Sequence, residues 1–265
     1  MAFVSEQSPR LATRLTDYWI TVFKRTMRGV AVTNFLMPVL YLAAMGVGLG
    51  HFVDKNSGTA ALGGVTYLAF IAPGLLATTA MQTAIFESTY PVMGGFKWHR
   101  VYYSMAATPL RVADIVAAQL GFIAVRIFLT CAVFVIVMGL FGVLTTWWGG
   151  VAALGVVILL GMAYAAPMCG LSARLKNESG FSLVFRLGLI PMMLFSGAFF
   201  PVSQLGAAAW LAYVTPIWHG VELSRQLTTG HLAGWAALGH IVYLLAWLVA
   251  GWYYSLRGFQ RRLAQ

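Results

Sequence analysis

An arginine deep inside an apolar segment is the first residue of this sequence that demands a partner. A helix beginning near Arg111 places Arg126 ~22 Å along its axis at about 1.5 Å per residue. A guanidinium facing hydrocarbon at that depth is costly, so it must meet a counter-charge, a water-filled cavity or a bound anion. Glu87, at the inner end of another apolar stretch, is a candidate partner, and an anionic ligand group is the alternative. Arg126 and Glu87 therefore mark a candidate polar pathway. Arg186 lies nearer a helix end and can snorkel to the interface.

Other chemistry is hard to assemble from these residues. The five histidines, His51, His99, His219, His231 and His240, lack metal-ligand spacing, and the seven acidic residues are dispersed. No serine has a histidine and an aspartate arranged around it, and no glycine-rich turn leads into Gly-Lys-Ser or Gly-Lys-Thr to cradle a phosphate. Gly46, Gly48 and Gly50 superficially suggest a nucleotide fingerprint, but they close an apolar helix, where close packing is their better explanation. The chain is expected to carry no catalytic residue, metal or cofactor of its own.

The elements that hold these residues follow from composition. Of 265 residues 60% are hydrophobic and 9% charged, against about a quarter charged in soluble domains; mean hydropathy is +0.80. An all-α integral membrane protein is implied. Uncharged windows give six spans: Gly29–Gly50, Leu62–Phe86, Ala117–Leu140, Val151–Ala173, Phe181–Pro201 and Leu232–Leu256. The net charge of +10 is placed by topology. Arg10, Arg14, Lys24, Arg25 and Arg28 precede the first span, Lys97, Arg100 and Arg111 separate the second and third, Arg174 and Lys176 follow the fourth, and Arg257, Arg261 and Arg262 follow the last. By the positive-inside rule both termini are cytoplasmic, and no contiguous basic face for nucleic acid remains. The polar first ~25 residues have no signal-peptide core, so the first span is the expected insertion signal. Cys131 and Cys169 fall within spans, where small apolar packing roles are expected.

Three segments interrupt this pattern. In residues 1–28, Leu11, Leu15, Trp19, Val22 and Phe23 recur at helical spacing opposite Arg10, Arg14, Asp17 and Lys24. That is an amphipathic interfacial helix, serving as a membrane anchor or as a docking face for a cytoplasmic partner. In the loop 89–110, Pro91, Gly94 and Gly95 are expected to end one helix and Thr108-Pro109 to cap the next, leaving a short helix over Phe96–Met105. Its Phe96, Lys97, Trp98, His99, Arg100 and Tyr103 suit either an ordinary solvated loop or a rigid element that enters a partner's groove. In 197–231, Phe199, Phe200, Pro201, Trp210, Pro216, Glu222 and Arg225 lie on apolar pieces too short to cross a bilayer. These read as a re-entrant outer gate before the last span, with Glu222 and Arg225 as a local helical pair. Trp147, Trp148, Trp210, Trp218 and Trp235 suit an outer aromatic belt, and Trp98, Trp252, Tyr253 and Tyr254 an inner one.

The amphipathic start, six spans, the short helix after the second, and FSGAFFPVSQL followed by WLAYVTPIWHGVELSRQL closely resemble permease subunits of type 2 ABC exporters. YLAFIAPGLLATTAMQTAIFESTYPVMGGFKWHR and FSGAFFP are most similar to the branch named for nodulation lipo-oligosaccharide exporters, which also contains drug-resistance relatives. The resemblance covers essentially the full chain. It implies one transmembrane domain over 1–265 in the inner (plasma) membrane, a second permease copy, two separate ABC ATPase subunits that hold ATP and Mg, and membrane lipids as surroundings. It further implies that Phe96–Met105 is the coupling helix, that residues around Arg10 to Arg25 form the ATPase interface helix, and that Pro201–Arg225 shields the exit. The expected function is export of a lipid-linked saccharide or similar amphipathic glycolipid. Multidrug efflux through the same architecture is the rival, and a membrane-embedded lipid-modifying enzyme a distant third.

Overall fold

The computed structural model describes residues 36–56, 64–230 and 234–264. The interface-helix residues Arg10, Arg14, Trp19 and Lys24 lie outside them. In chain order the described helices are α1 (Leu36–Gly50, its second half wound as a π-helix over Ala43–Gly50), α2 (His51–Asn56), α3 (Tyr67–Ser88), α4 (Tyr90–Lys97), α5 (Val101–Ala106), α6 (Val112–Leu140) and α7 (Trp147–Arg174). They continue with α8 (Ser179–Leu183), a π segment (Val184–Leu189), α9 (Ile190–Leu194), a 3-10 segment (Val202–Ala208), α10 (Ala209–Val214), α11 (Pro216–Thr229) and α12 (Gly234–Leu263).

Local chemistry fixes where the long helices begin. The Thr66 hydroxyl accepts from the Ala69 amide at 3.3 Å, and that of Thr146 from the Gly149 amide at 3.1 Å. The Asp114 carboxylate accepts from the Arg111 amide at 3.0 Å. Each oxygen satisfies a backbone donor that a helix start leaves free. Because Arg111 and Asp114 perform this role for α6, the expected cap at Thr108-Pro109 is corrected: Thr108 instead donates back to the Met105 carbonyl at the end of α5.

Among the described residues four helical units are long and apolar enough to cross a membrane: Tyr67–Lys97, Val112–Leu140, Trp147–Arg174 and Gly234–Leu263. The apolar helices Leu36–Gly50 and Ser179–Leu194 are shorter. At the centre, α7 packs against α3, α6, α11 and α12. Small residues make this packing close: Ala72, Ala77, Ala80 and Ala84 on α3 and Ala163, Ala165 and Ala166 on α7 are buried. In a bilayer, where lipid tails are as apolar as leucine, such backbone approach supplies much of the helix association. The apolar window of α3 is 72% buried and that of α12 only 17%, so α12 turns most of its side chains outward. It also runs on past its apolar stretch, carrying Arg257, Arg261 and Arg262 on the helix itself.

Candidate translocation groove and coupling surface

On α3, Thr79, Gln82, Thr83, Phe86 and Glu87 recur at helical intervals of three and four and so share one face. On α6, Arg126, Thr130 and Phe134 do the same. Where these faces meet, a groove of about 280 Å³ opens, lined by Thr79, Gln82, Thr83, Phe86, Thr130 and Phe134 and edged by Met37, Pro38 and Tyr41 of α1. At one end Arg126 reaches Glu87 with both Nε, at 2.9 Å, and Nη2, at 2.6 Å, to the same Oε1. The two side chains are 16% and 18% exposed, low enough for the attraction to be strong and open enough to keep some hydration.

The hydroxyls along the groove are anchored without being used up. Thr79 donates to the Leu75 carbonyl at 2.7 Å and Thr83 to the Thr79 carbonyl at 2.8 Å. A hydroxyl that donates once keeps its acceptor lone pairs. The Gln82 amide reaches the Met193 sulfur of α9 at 3.0 Å, tying the groove to the shorter apolar helix. Sequence reading found Arg126 and Glu87 but missed Thr79, Gln82, Thr83 and Thr130. The available signal was the spacing of polar residues at three and four inside an apolar window.

Beyond Glu87 the chain turns through α4 and α5, where two expectations are corrected. Gly94 and Gly95 do not end a helix; they lie buried within α4, because Pro91 sits in its first turn and the break falls at Thr89. The single helix expected over Phe96–Met105 is two helices, separated by Trp98–Arg100, with Arg100 in the left-handed region at φ 52°. Gly95 has no side chain because the Tyr102 ring lies against it, a Cβ there falling within 3.0 Å of ring carbons.

Phe96 faces inward rather than toward a partner. Its ring lies 4.6 Å from Tyr102 and 4.9 Å from Phe259 of α12, centroid to centroid. Tyr102 donates to Gln119 of α6 at 2.8 Å, and Tyr103 to the Arg262 carbonyl at 3.4 Å. The Ser172 hydroxyl of α7 donates to the Ser88 carbonyl at 2.6 Å, just ahead of α4. Any push on α4 and α5 thus reaches α6, α7 and α12 directly. The outward residues are Lys97, Trp98, His99 and Arg100, with Lys97 in an exposed 3.4 Å pair with Glu178.

At the far end Pro201 starts the 3-10 segment and Pro216 occupies the first turn of α11. Phe199 and Phe200 are half-buried and Trp210 is exposed. Arg225 binds this segment to the bundle: it meets Glu222 at 3.1 Å, donates to the Gly197 carbonyl at 2.8 Å, and stacks over the Phe70 ring of α3 at 4.0 Å. Gly197 has φ +74°, which a residue with a Cβ would adopt only under strain.

Next to it, His219 and His240 approach Nδ1 to Nδ1 at 2.8 Å, while His219 Nε2 lies 3.0 Å from the Tyr213 carbonyl. A carbonyl only accepts, so Nε2 of His219 carries its proton and Nδ1 of His240 donates to Nδ1 of His219. Burial lowers the His219 pKa from its ordinary 6.5, opposed by the Tyr213 carbonyl, with the His240 ring adding to the lowering. Among the described residues no cluster of three or more histidine, cysteine or acidic side chains is placed to hold a metal ion.

The sequence profile described as ABC-2 type transporter matches residues 12–228. The chain belongs to that family. Nodulation protein J of Rhizobium leguminosarum bv. trifolii is 31% identical over 253 residues, covering 92% of this chain and 94% of the relative. Nodulation protein J of Sinorhizobium fredii is 32% identical over 253 residues with the same coverage, and that of Azorhizobium caulinodans is 22% identical over 223 residues, covering 79% and 83%. An ABC-2 type transporter of this kind is a multi-pass inner-membrane permease that works with separate ABC ATPase subunits. In such a protein the groove is the candidate path and the outward face of α4 and α5 the candidate contact for the engine.

Proposed function

We propose that this permease exports a lipid-linked saccharide or similar amphipathic glycolipid, as a dimer driven by two ATPase subunits. The observation that carries the reading is the two-sided groove. Thr79, Gln82, Thr83 and Thr130 offer hydroxyl and amide groups to sugar hydroxyls, while Tyr41 and Phe86 offer apolar surface beside them. About 280 Å³ is small for such a substrate, so a second permease copy completes the path. The short helices Leu36–Gly50 and Ser179–Leu194 join the four long ones as the remaining two of six spans, with both termini cytoplasmic as the distribution of cations favours.

ATP binding closes the ATPase pair, which pushes on Lys97, Trp98, His99 and Arg100. The aromatic cluster of Phe96, Tyr102 and Phe259 passes that motion to α12, Gln119 to α6, and Ser172 to α7. The permeases then alter their mutual packing, and the outer segment held by Arg225 opens the exit. Substrate moves outward only where the outward-facing state holds it less tightly than the inward-facing one.

Reconstituted vesicles containing the permease and its cognate ATPase test the reading. ATP-dependent movement of a lipid-linked saccharide is expected. Movement of apolar drugs with none of the glycolipid would replace this reading by drug efflux, and product formation without ATPase or nucleotide would replace it by an enzyme.

A further inference from the structure

At the end of the bundle that carries α4 and α5, α7 and α12 touch backbone to backbone. A Cβ on Gly258 would lie 2.8 Å from the Gly170 carbonyl oxygen, and one on Gly170 would lie 2.9 Å from the Ser255 backbone. Side by side, the ends of these helices and the residues just after α7 bring together Arg174, Lys176, Arg261 and Arg262. These four cations, with Ala173 and Gly258, line a cavity of about 130 Å³.

Lys97, Arg126 and Arg225 each have a carboxylate within 4.0 Å, whereas among the described residues none of these four cations does. Arg174 is held in place with its guanidinium 3.9 Å over the Tyr254 ring, yet its Nε is buried with no hydrogen-bond partner. Four positive charges around a small hole repel one another, and a ligand with several anionic oxygens turns that repulsion into binding. Guanidinium forks suit phosphoryl oxygens in particular.

Position selects the source of that phosphoryl group. Trp252, Tyr253 and Tyr254 occupy the turn of α12 before Arg257, and aromatic side chains of this kind sit at headgroup level. Basic pockets between membrane helices at that level suit anionic headgroups. Arg262 also borders a second groove of about 540 Å³, lined by Phe96, Lys97, Arg100, Tyr103 and Leu263, which leaves room beside the cavity for the rest of a headgroup. We propose that the cavity at the ends of α7 and α12 binds the phosphoryl headgroup of an anionic phospholipid from the adjacent leaflet. The site is independent of what the permease transports.

Native mass spectrometry of the purified full-length protein, delipidated and titrated with phosphatidylglycerol or phosphatidylcholine, tests the site. Wild type is expected to retain phosphatidylglycerol selectively. Lys176 and Arg261 are exposed, so K176Q/R261Q should fold normally and retain that lipid about thirtyfold less, the scale set by two lost headgroup-facing cations. R174K, which keeps the charge but loses the fork, should fall between. Equal retention by wild type and the double variant would overturn the proposal, as would equal retention of the neutral lipid. Displacement of the lipid by inorganic phosphate would overturn its assignment to a headgroup and give the cavity to a soluble phosphoryl ligand.

Discussion

Neutralising Glu87 or Arg126 separately should cost far more than neutralising both. Removing one partner strips a charge that is four-fifths buried of its ion pair. A fully buried ion pair broken in this way loses about 3–5 kcal/mol, and the openness of the groove reduces the figure to about 2–3 kcal/mol. In E87Q/R126Q two amides face each other and can hydrogen-bond, so the double loss should be about 1 kcal/mol. The resulting coupling energy is about 3–5 kcal/mol, well above the ~0.5 kcal/mol within which independent sites add. Titrating each variant with SDS in mixed micelles, with unfolding followed by tryptophan fluorescence, supplies the four free energies. Single losses that sum to the double loss would refute the claim that the pair is a structural unit. Transport then separates its roles: a stable double variant that still moves substrate confines the pair to structure, while one with a raised KM makes Arg126 a contact for an anionic group.

Phe96→Ala should destabilise the protein by about 3–5 kcal/mol, because its ring is buried against Tyr102 and Phe259, whereas Trp98→Ala should leave thermal stability unchanged and reduce ATP-driven transport; comparing melting with vesicle transport checks both. Gly258→Val should force α7 and α12 apart and cost about 1–3 kcal/mol. Gly121→Ala, with nothing within 4 Å, should be neutral or stabilise α6 by up to about 1 kcal/mol. For His219 the folded pKa is lowered, so its contribution is complete above the ordinary value of 6.5 and is lost as pH falls from there through the lowered value. Melting temperatures measured across that window should decline on acidification in wild type and decline less in His219→Gln; equal slopes would reject the burial of the His219 imidazole as the cause.

The sequence by itself determined the solvent this chain lives in. An apolar content of 60% with 9% charge permits only a membrane protein, and the isolated Arg126 demanded compensation because a lone guanidinium in hydrocarbon is too costly. Pro201 and Pro216 marked real breaks, since proline lacks the amide that a continuing helix requires. Glu222 and Arg225 were legible as a pair because helical spacing alone brings them together. What only the tertiary structure decided depends on which helices become neighbours. Periodicity makes Phe96 an aromatic beside basic residues, but the packing of α12 against α4 and α5 turns it into core through Phe259. The choice of Glu87 for Arg126, the meeting of the threonine faces of α3 and α6, and the convergence of Arg174 with Arg262 all join residues far apart along the chain. A one-dimensional pattern records which face of a helix is polar. It does not record which other helix that face will meet, because that is settled by the shapes of small residues such as Gly170 and Gly258, which control how closely two backbones can approach.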